Sequence, residues 1–218
     1  MFRSARNVIF IICLTMCSLS FAYEWQELKG DHFIIYYTDD KDFAKKVLYK
    51  AEKYYKQIAA DLRHARHLSF WQWDNRVKIH IYPDQDSFVK TRGYPKWAHG
   101  IAEYEENAIY TFSGSYEFEN ATLPHEITHL MFRDFIGGKT QPWLDEAVAQ
   151  RAEPEKRKRI KSAVKYVYDE GGLMSLRRLM SYNIMRESNE EIVRNYYIQT
   201  MSLVDFLIDK YGFDRFTM

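Results

Sequence analysis

Leu123-Pro124-His125-Glu126-Ile127-Thr128-His129-Leu130-Met131-Phe132 is the stretch on which the reading of the whole chain turns. On a helix, residues four apart share one face, so the imidazoles of His125 and His129 can grip a single metal ion. Glu126 lies one step round from His125, within reach of a water on that metal. Two histidines and one carboxylate around Zn²⁺ leave a fourth position open, the arrangement of a hydrolytic zinc site. The third-ligand candidate is Glu146, in the expected helix Pro142-Trp-Leu-Asp-Glu-Ala-Val-Ala-Gln150. Its neighbour Asp145 competes for the role but lies about 100° away around the helix, so only one of the two faces the metal.

Context supports a helix here. Leu130, Met131 and Phe132 extend an apolar face, and Gly137-Gly138 supplies a stop. Pro124 falls inside the apolar pattern beginning at Glu117, so the metal-bearing part is expected to start near Leu123 after a separate or kinked turn. Two imidazoles on the packed side of such a helix need partners, and a metal is the simplest one.

His-Glu-Ile-Thr-His-Leu-Met-Phe, a Gly-Gly loop and then Pro-Trp-Leu-Asp-Glu-Ala-Val-Ala-Gln resemble the gluzincin class of zinc metallopeptidases, and within it the peptidase MA-like domain. The resemblance runs from about Asp31 to the C-terminus. It implies one Zn²⁺ bound by His125, His129 and Glu146, with Glu126 as general base. It also implies a zincin-like fold with an extended peptide lying along the edge strand near Gly100 to Tyr104, where the Ala102 N–H is a candidate donor. Tyr196 and Tyr197 open the closing helical segment, and Tyr197 matches better as the phenol that would donate to a developing oxyanion. Gln150, one turn beyond Glu146, is a candidate for orienting a ligand histidine. Ala147 departs from the family pattern, which carries Gly there.

The pattern of elements gives an α+β class. His32–Thr38 reads as the first strand, followed by a long helix from an Asp39-Asp40 cap through about Arg66, with Phe43, Val47, Ala51, Tyr54 and Ile58 on one face. Phe70-Trp-Gln-Trp73 is a linker whose aromatics are expected on the sheet. Arg76–Tyr82, Gly100–Tyr104 and Ala108–Phe112 read as further strands. Beyond Gly138 only helices are expected, including Glu155–Asp169 and Ile192–Tyr211. The domain therefore divides into a sheet-containing half, about 23–138, and a helical half, about 139–218, with the metal between them. His64 and His67, His99 and the basic run Lys156–Arg159 read as surface features.

The 218 residues carry 46% hydrophobic and 28% charged residues, enough for one sizeable core. Arg3 and Arg6, an apolar run over 8–19 and Ser20-Phe21-Ala22 read as a cleavable secretory signal over 1–22. The run is too short for a comfortable membrane span. Both cysteines, Cys13 and Cys17, fall in it, so the mature chain has no disulfide. It keeps 29 basic against 30 acidic residues, which gives no reason to expect nucleic acid as a partner. The expected product is a periplasmic or extracellular zinc metallopeptidase acting on peptides or proteins through a zinc-activated water. Two other classes share the motif: a non-catalytic zinc-stabilised binding module of the cell envelope, and a zinc amidase on a non-peptide substrate. N-terminal sequencing of the exported protein should begin at Tyr23; a mature form that retains residues 1–19 contradicts the secretory reading.

Overall fold

The computed structural model describes residues 23–62 and 71–216. The expected secretory signal, His64, His67 and Phe70 lie outside the described residues. Strands β1 (Gln26–Lys29), β2 (Phe33–Tyr37), β3 (Val77–Tyr82), β4 (Gly100–Glu103) and β5 (Ala108–Phe112) form one sheet in the order β1-β2-β3-β5-β4. The three central strands are parallel, and both edges pair antiparallel. The α+β class expected from the sequence is the class observed. β1 was not anticipated. Gln-Glu-Leu-Lys has no apolar alternation and is largely exposed, so its strand conformation comes from pairing with β2 rather than from its own pattern.

Alternation along the central strands decides which face is buried. Phe33 and Ile35 of β2, Val77 and Ile79 of β3 and Ile109 of β5 point to one side. There they meet α1 (Lys41–Asp61) and α3 (Leu123–Ile136). Each such side chain, fully removed from water, contributes on the order of 1.5–3 kcal/mol. Asp40 caps α1, its Oδ1 accepting the Phe43 N–H at 2.9 Å. Val47, Ala51 and Ile58 are buried as expected, whereas Tyr55 rather than Tyr54 completes the stripe and Phe43 sits at its margin. The opposite sheet face carries a second, smaller core around Phe88 of α2 (Gln85–Arg92).

α3 follows a π-helical turn over Phe118–Thr122, and Pro124 lies in its first turn, where no intrahelical N–H is needed. Gly137 ends α3 in the left-handed conformation (φ 74°), its N–H returning to the Arg133 carbonyl at 2.9 Å. The helices α4 (Pro142–Arg151), α5 (Pro154–Asp169), α6 (Leu176–Ser181) and α7 (Glu190–Tyr211) follow, with α7 packed along α4. Ala147 is fully buried in α4, so the methyl group that departs from the family pattern fits the core. α6 was not foreseen; six residues are too few to show a helical period.

Asp134 of α3 gathers two contacts, one from the linker before β3 and one from the residue that follows the edge strand. Trp71, buried as expected of the linker, donates from Nε1 to Asp134 Oδ2 at 2.8 Å, and the Tyr104 hydroxyl donates to Asp134 Oδ1 at 3.2 Å. Trp73, in contrast to the expectation, is 81% exposed. At the start of β4, a Cβ on Gly100 would lie 2.6 Å from the Phe118 ring, so β4 approaches the turn leading into α3 closer than any side chain allows. Gly100→Ala should therefore lower stability by about 1–3 kcal/mol, the usual cost of overpacking. Thermal unfolding of the variant checks this; an unchanged melting temperature would mean that the contact is not tight.

Candidate metal centre

The three residues singled out as ligands converge although they come from two helices. His125 and His129 project from one face of α3, and their Nε2 atoms lie 3.0 Å apart. Glu146, in the middle of α4, brings Oε2 to 3.7 Å from His125 Nε2 and Oε1 to 3.8 Å from His129 Nε2. Ligand atoms held by bonds of about 2.0–2.1 Å at tetrahedral angles are separated by about 3.3 Å. The three observed separations bracket that value. The donor set also suits a borderline-soft divalent ion, two imidazoles and one carboxylate. The cleft around them measures about 480 Å³ and opens between β4 and the α3–α4 pair, with Trp97 80% exposed at its mouth.

Glu126 stands apart from this triangle. Its Oε2 accepts the Ala102 N–H of β4 at 2.9 Å. The hydrogen-bonding groups of alternate edge-strand residues face away from the sheet, and that of Ala102 reaches down to α3. The expectation that the Ala102 N–H serves an extended substrate is thereby corrected: this donor is occupied by Glu126. Burial raises the Glu126 carboxyl above the usual carboxylate range, against the pull of both histidines and of the Ala102 hydrogen bond.

Residues 62–218 match the family described as Peptidase MA superfamily. The chain belongs to that superfamily. No curated protein matches it. Membership in the Peptidase MA superfamily points to a metallopeptidase with peptides as its substrate class, and the His125, His129 and Glu146 group is a place where such a chain could hold its metal.

Around the triangle, further carboxylates take the outer imidazole nitrogens. Glu153 Oε1 lies 2.9 Å from His125 Nδ1 and also accepts from Lys156 Nζ at 2.8 Å. Asp145 Oδ2 lies 3.2 Å from His129 Nδ1, at an angle poor for a hydrogen bond, and 3.4 Å from Arg133. So Glu146 faces the inner nitrogens and Asp145 an outer one, the division that neighbouring positions on one helix impose. Burial opposes ionisation of both outer carboxyls, but His125 and Lys156 hold Glu153 low, and His129 and Arg133 hold Asp145 low. His129 moves the other way: burial disfavours its charged form, yet Asp145, Glu126 and Glu146 raise it to about 9.

The sequence reading missed Glu153 and gave its role to Gln150. Gln150 is buried, and the carboxylate beside the His125 imidazole is that of Glu153. Glu153 lies two residues past the end of α4, in extended conformation at the start of α5, so helical spacing from Glu146 gave no signal for it. Tyr197 of α7 lines the cleft; burial, the charge of Glu146 and Tyr196 raise its phenol to about 12, so it remains a donor at neutral pH. Tyr196 is fully buried and its hydroxyl has no hydrogen-bond partner among the described residues. His99 pairs with Ser115 at 3.1 Å, outside the triangle.

These roles predict an order of effects in zinc titrations against a chelator. Glu146→Ala should lose the most affinity, and Glu153→Gln about 10–100-fold, the range for groups that orient a ligand. A larger loss for Asp145→Ala than for Glu146→Ala would reverse the assignment of inner and outer carboxylates.

Proposed function

We propose that the chain is an exported zinc metallopeptidase in which His125, His129 and Glu146 hold the metal and Glu126 is the general base. The observation that carries this reading is the placement of Glu126: beside the ligand triangle, not in it, and tied to the edge strand. A domain using zinc only to hold its fold has no need of such a carboxylate, which weighs against the non-catalytic module. The layout, with the sheet on one side of α3 and α4 and α7 on the other, fits a zincin-like domain with a sheet half over about 23–138 and a helical half over about 139–218.

When bound, zinc polarises the scissile carbonyl and lowers the pKa of a water in the open position. The chain's own groups do the rest. Glu126 Oε2 is engaged by Ala102, so Oε1 is the oxygen that takes the proton from the attacking water and returns it to the leaving amine. Burial of the carboxyl brings its proton affinity closer to that task. The Tyr197 hydroxyl, protonated at working pH, supplies the donor for the oxyanion of the attacked carbonyl. Because β4 also borders the cleft, a peptide laid along it meets the same strand that positions the base. Among the described residues no helix is long and apolar enough to cross a membrane. The export part of the proposal rests on residues 1–22.

Two variants separate holding the metal from using it. Glu126→Gln keeps the shape and removes the proton acceptor, so zinc content and melting temperature should hold while turnover falls about 10²–10⁴-fold. His125→Ala removes a zinc bond, and zinc content, melting temperature and activity should fall together. Zinc stoichiometry, thermal unfolding and cleavage of a diverse peptide library are the measurements. Loss of zinc from Glu126→Gln would make Glu126 a ligand; wild type that binds zinc and cleaves no peptide would turn the reading to a binding module or to an amidase.

A further inference from the structure

A second pocket, of about 380 Å³, lies between α5 and α7. Its floor is apolar, formed by Ile160, Ile198 and Met201 among others. Its rim is cationic: Lys156, Arg159 and Arg194 against the single carboxylate of Glu155. The basic run on α5 that the sequence presents as one surface feature is split by the helix. Arg157 turns away to pair with Asp61 and Lys158 with Glu155, while Lys156 and Arg159 border the pocket. Arg159 reaches Glu155 only at 4.0 Å, and Arg194 makes no ion pair among the described residues. Their charge is therefore available to a ligand.

The pocket is joined to the metal centre in two ways. Tyr197 lines both cavities. Lys156 on the rim holds Glu153, which in turn holds His125. A peptide group placed at the triangle thus has an apolar hollow next to it across one tyrosine.

We infer that this pocket is a substrate subsite that takes a large apolar side chain whose neighbour in the peptide is acidic. The inference rests on the peptidase reading of the metal centre. Apolar side chains fill sites of this size, and a few placed polar groups select among them. Here the selecting groups are guanidinium, which pairs with carboxylate through two parallel hydrogen bonds and does not lose its charge. A lysine in place of the acidic neighbour would face Arg159 and Arg194 and be rejected.

Binding can be read without turnover in zinc-loaded Glu126→Gln protein, by calorimetry with hexapeptides carrying Leu-Glu, Leu-Lys or Gly-Glu at the centre. The Leu-Glu peptide should bind roughly tenfold tighter than either counterpart, since like charges and an empty apolar pocket each weaken association. Arg194→Glu, on the exposed side of α7, should abolish the preference for Glu over Lys. Ala163→Phe, which fills the pocket, should abolish the preference for Leu over Gly; melting temperature reports whether each variant folds. Equal affinity for all three peptides, no binding of any, or preferences unchanged in folded Arg194→Glu would overturn the subsite. Tighter binding of dodecanoate than of Leu-Glu would reassign the pocket to a fatty acid. Cleavage of the same peptides by wild type tests the underlying reading separately. Cleavage without preference removes the subsite and leaves the peptidase, and preferential binding without cleavage does the reverse.

Discussion

Negative charge held in a half-buried cleft is the constraint that organises this molecule. Glu126, Asp145, Glu146 and Glu153 gather around two imidazoles where α3 meets α4. Arg133 and Lys156 answer Asp145 and Glu153 from the rim. Glu126 and Glu146 are left with only the histidines, and the rise of His129 to about 9 is the response of an imidazole in that field. Burying carboxylates without a counter-charge is costly. A divalent cation at the triangle matches two negative charges with two positive ones, and lets both imidazoles use their inner nitrogens as neutral ligands. The outer nitrogens then carry the protons: His125 Nδ1 donates to Glu153, which fixes that tautomer and ring orientation, while His129 Nδ1 faces the charge of Asp145.

The same constraint explains the role of the fold. Two histidines four apart need only a helix, but a carboxylate from a second helix and a Glu126 held off the triangle need three elements in register. Gly100 admits the close approach of β4 to Phe118, and Asp134 ties α3 to both Trp71 and Tyr104. The edge strand is thereby positioned so that one backbone N–H meets Glu126. α7, packed along α4, brings Tyr197 to the cleft from the opposite side.

What the sequence made legible was periodic or punctuated. The spacing of His125 and His129, the Gly137 stop, the Asp40 cap and the alternation in β3 are local signals, and the structure carries each of them. Glu146 was legible as a candidate because its helix was. Illegible features depend on partners distant in the chain. β1 is polar and becomes a strand only by pairing. The bond from Ala102 to Glu126 spans 24 residues, and a backbone donor leaves no trace in residue type. Glu153 lies just past the end of α4, where helical periodicity stops being a guide.

The central claim is that His125, His129 and Glu146 hold one zinc ion with Glu126 outside its coordination shell. Anomalous diffraction at the zinc edge, on crystals of the zinc-loaded protein, tests it directly. The account predicts a single strong peak about 2.0–2.1 Å from both Nε2 atoms and from one Glu146 oxygen, with Glu126 still bonded to the Ala102 N–H. A peak coordinated by Glu126 or Asp145 in place of Glu146, or no peak between the histidines at saturating zinc, would contradict it.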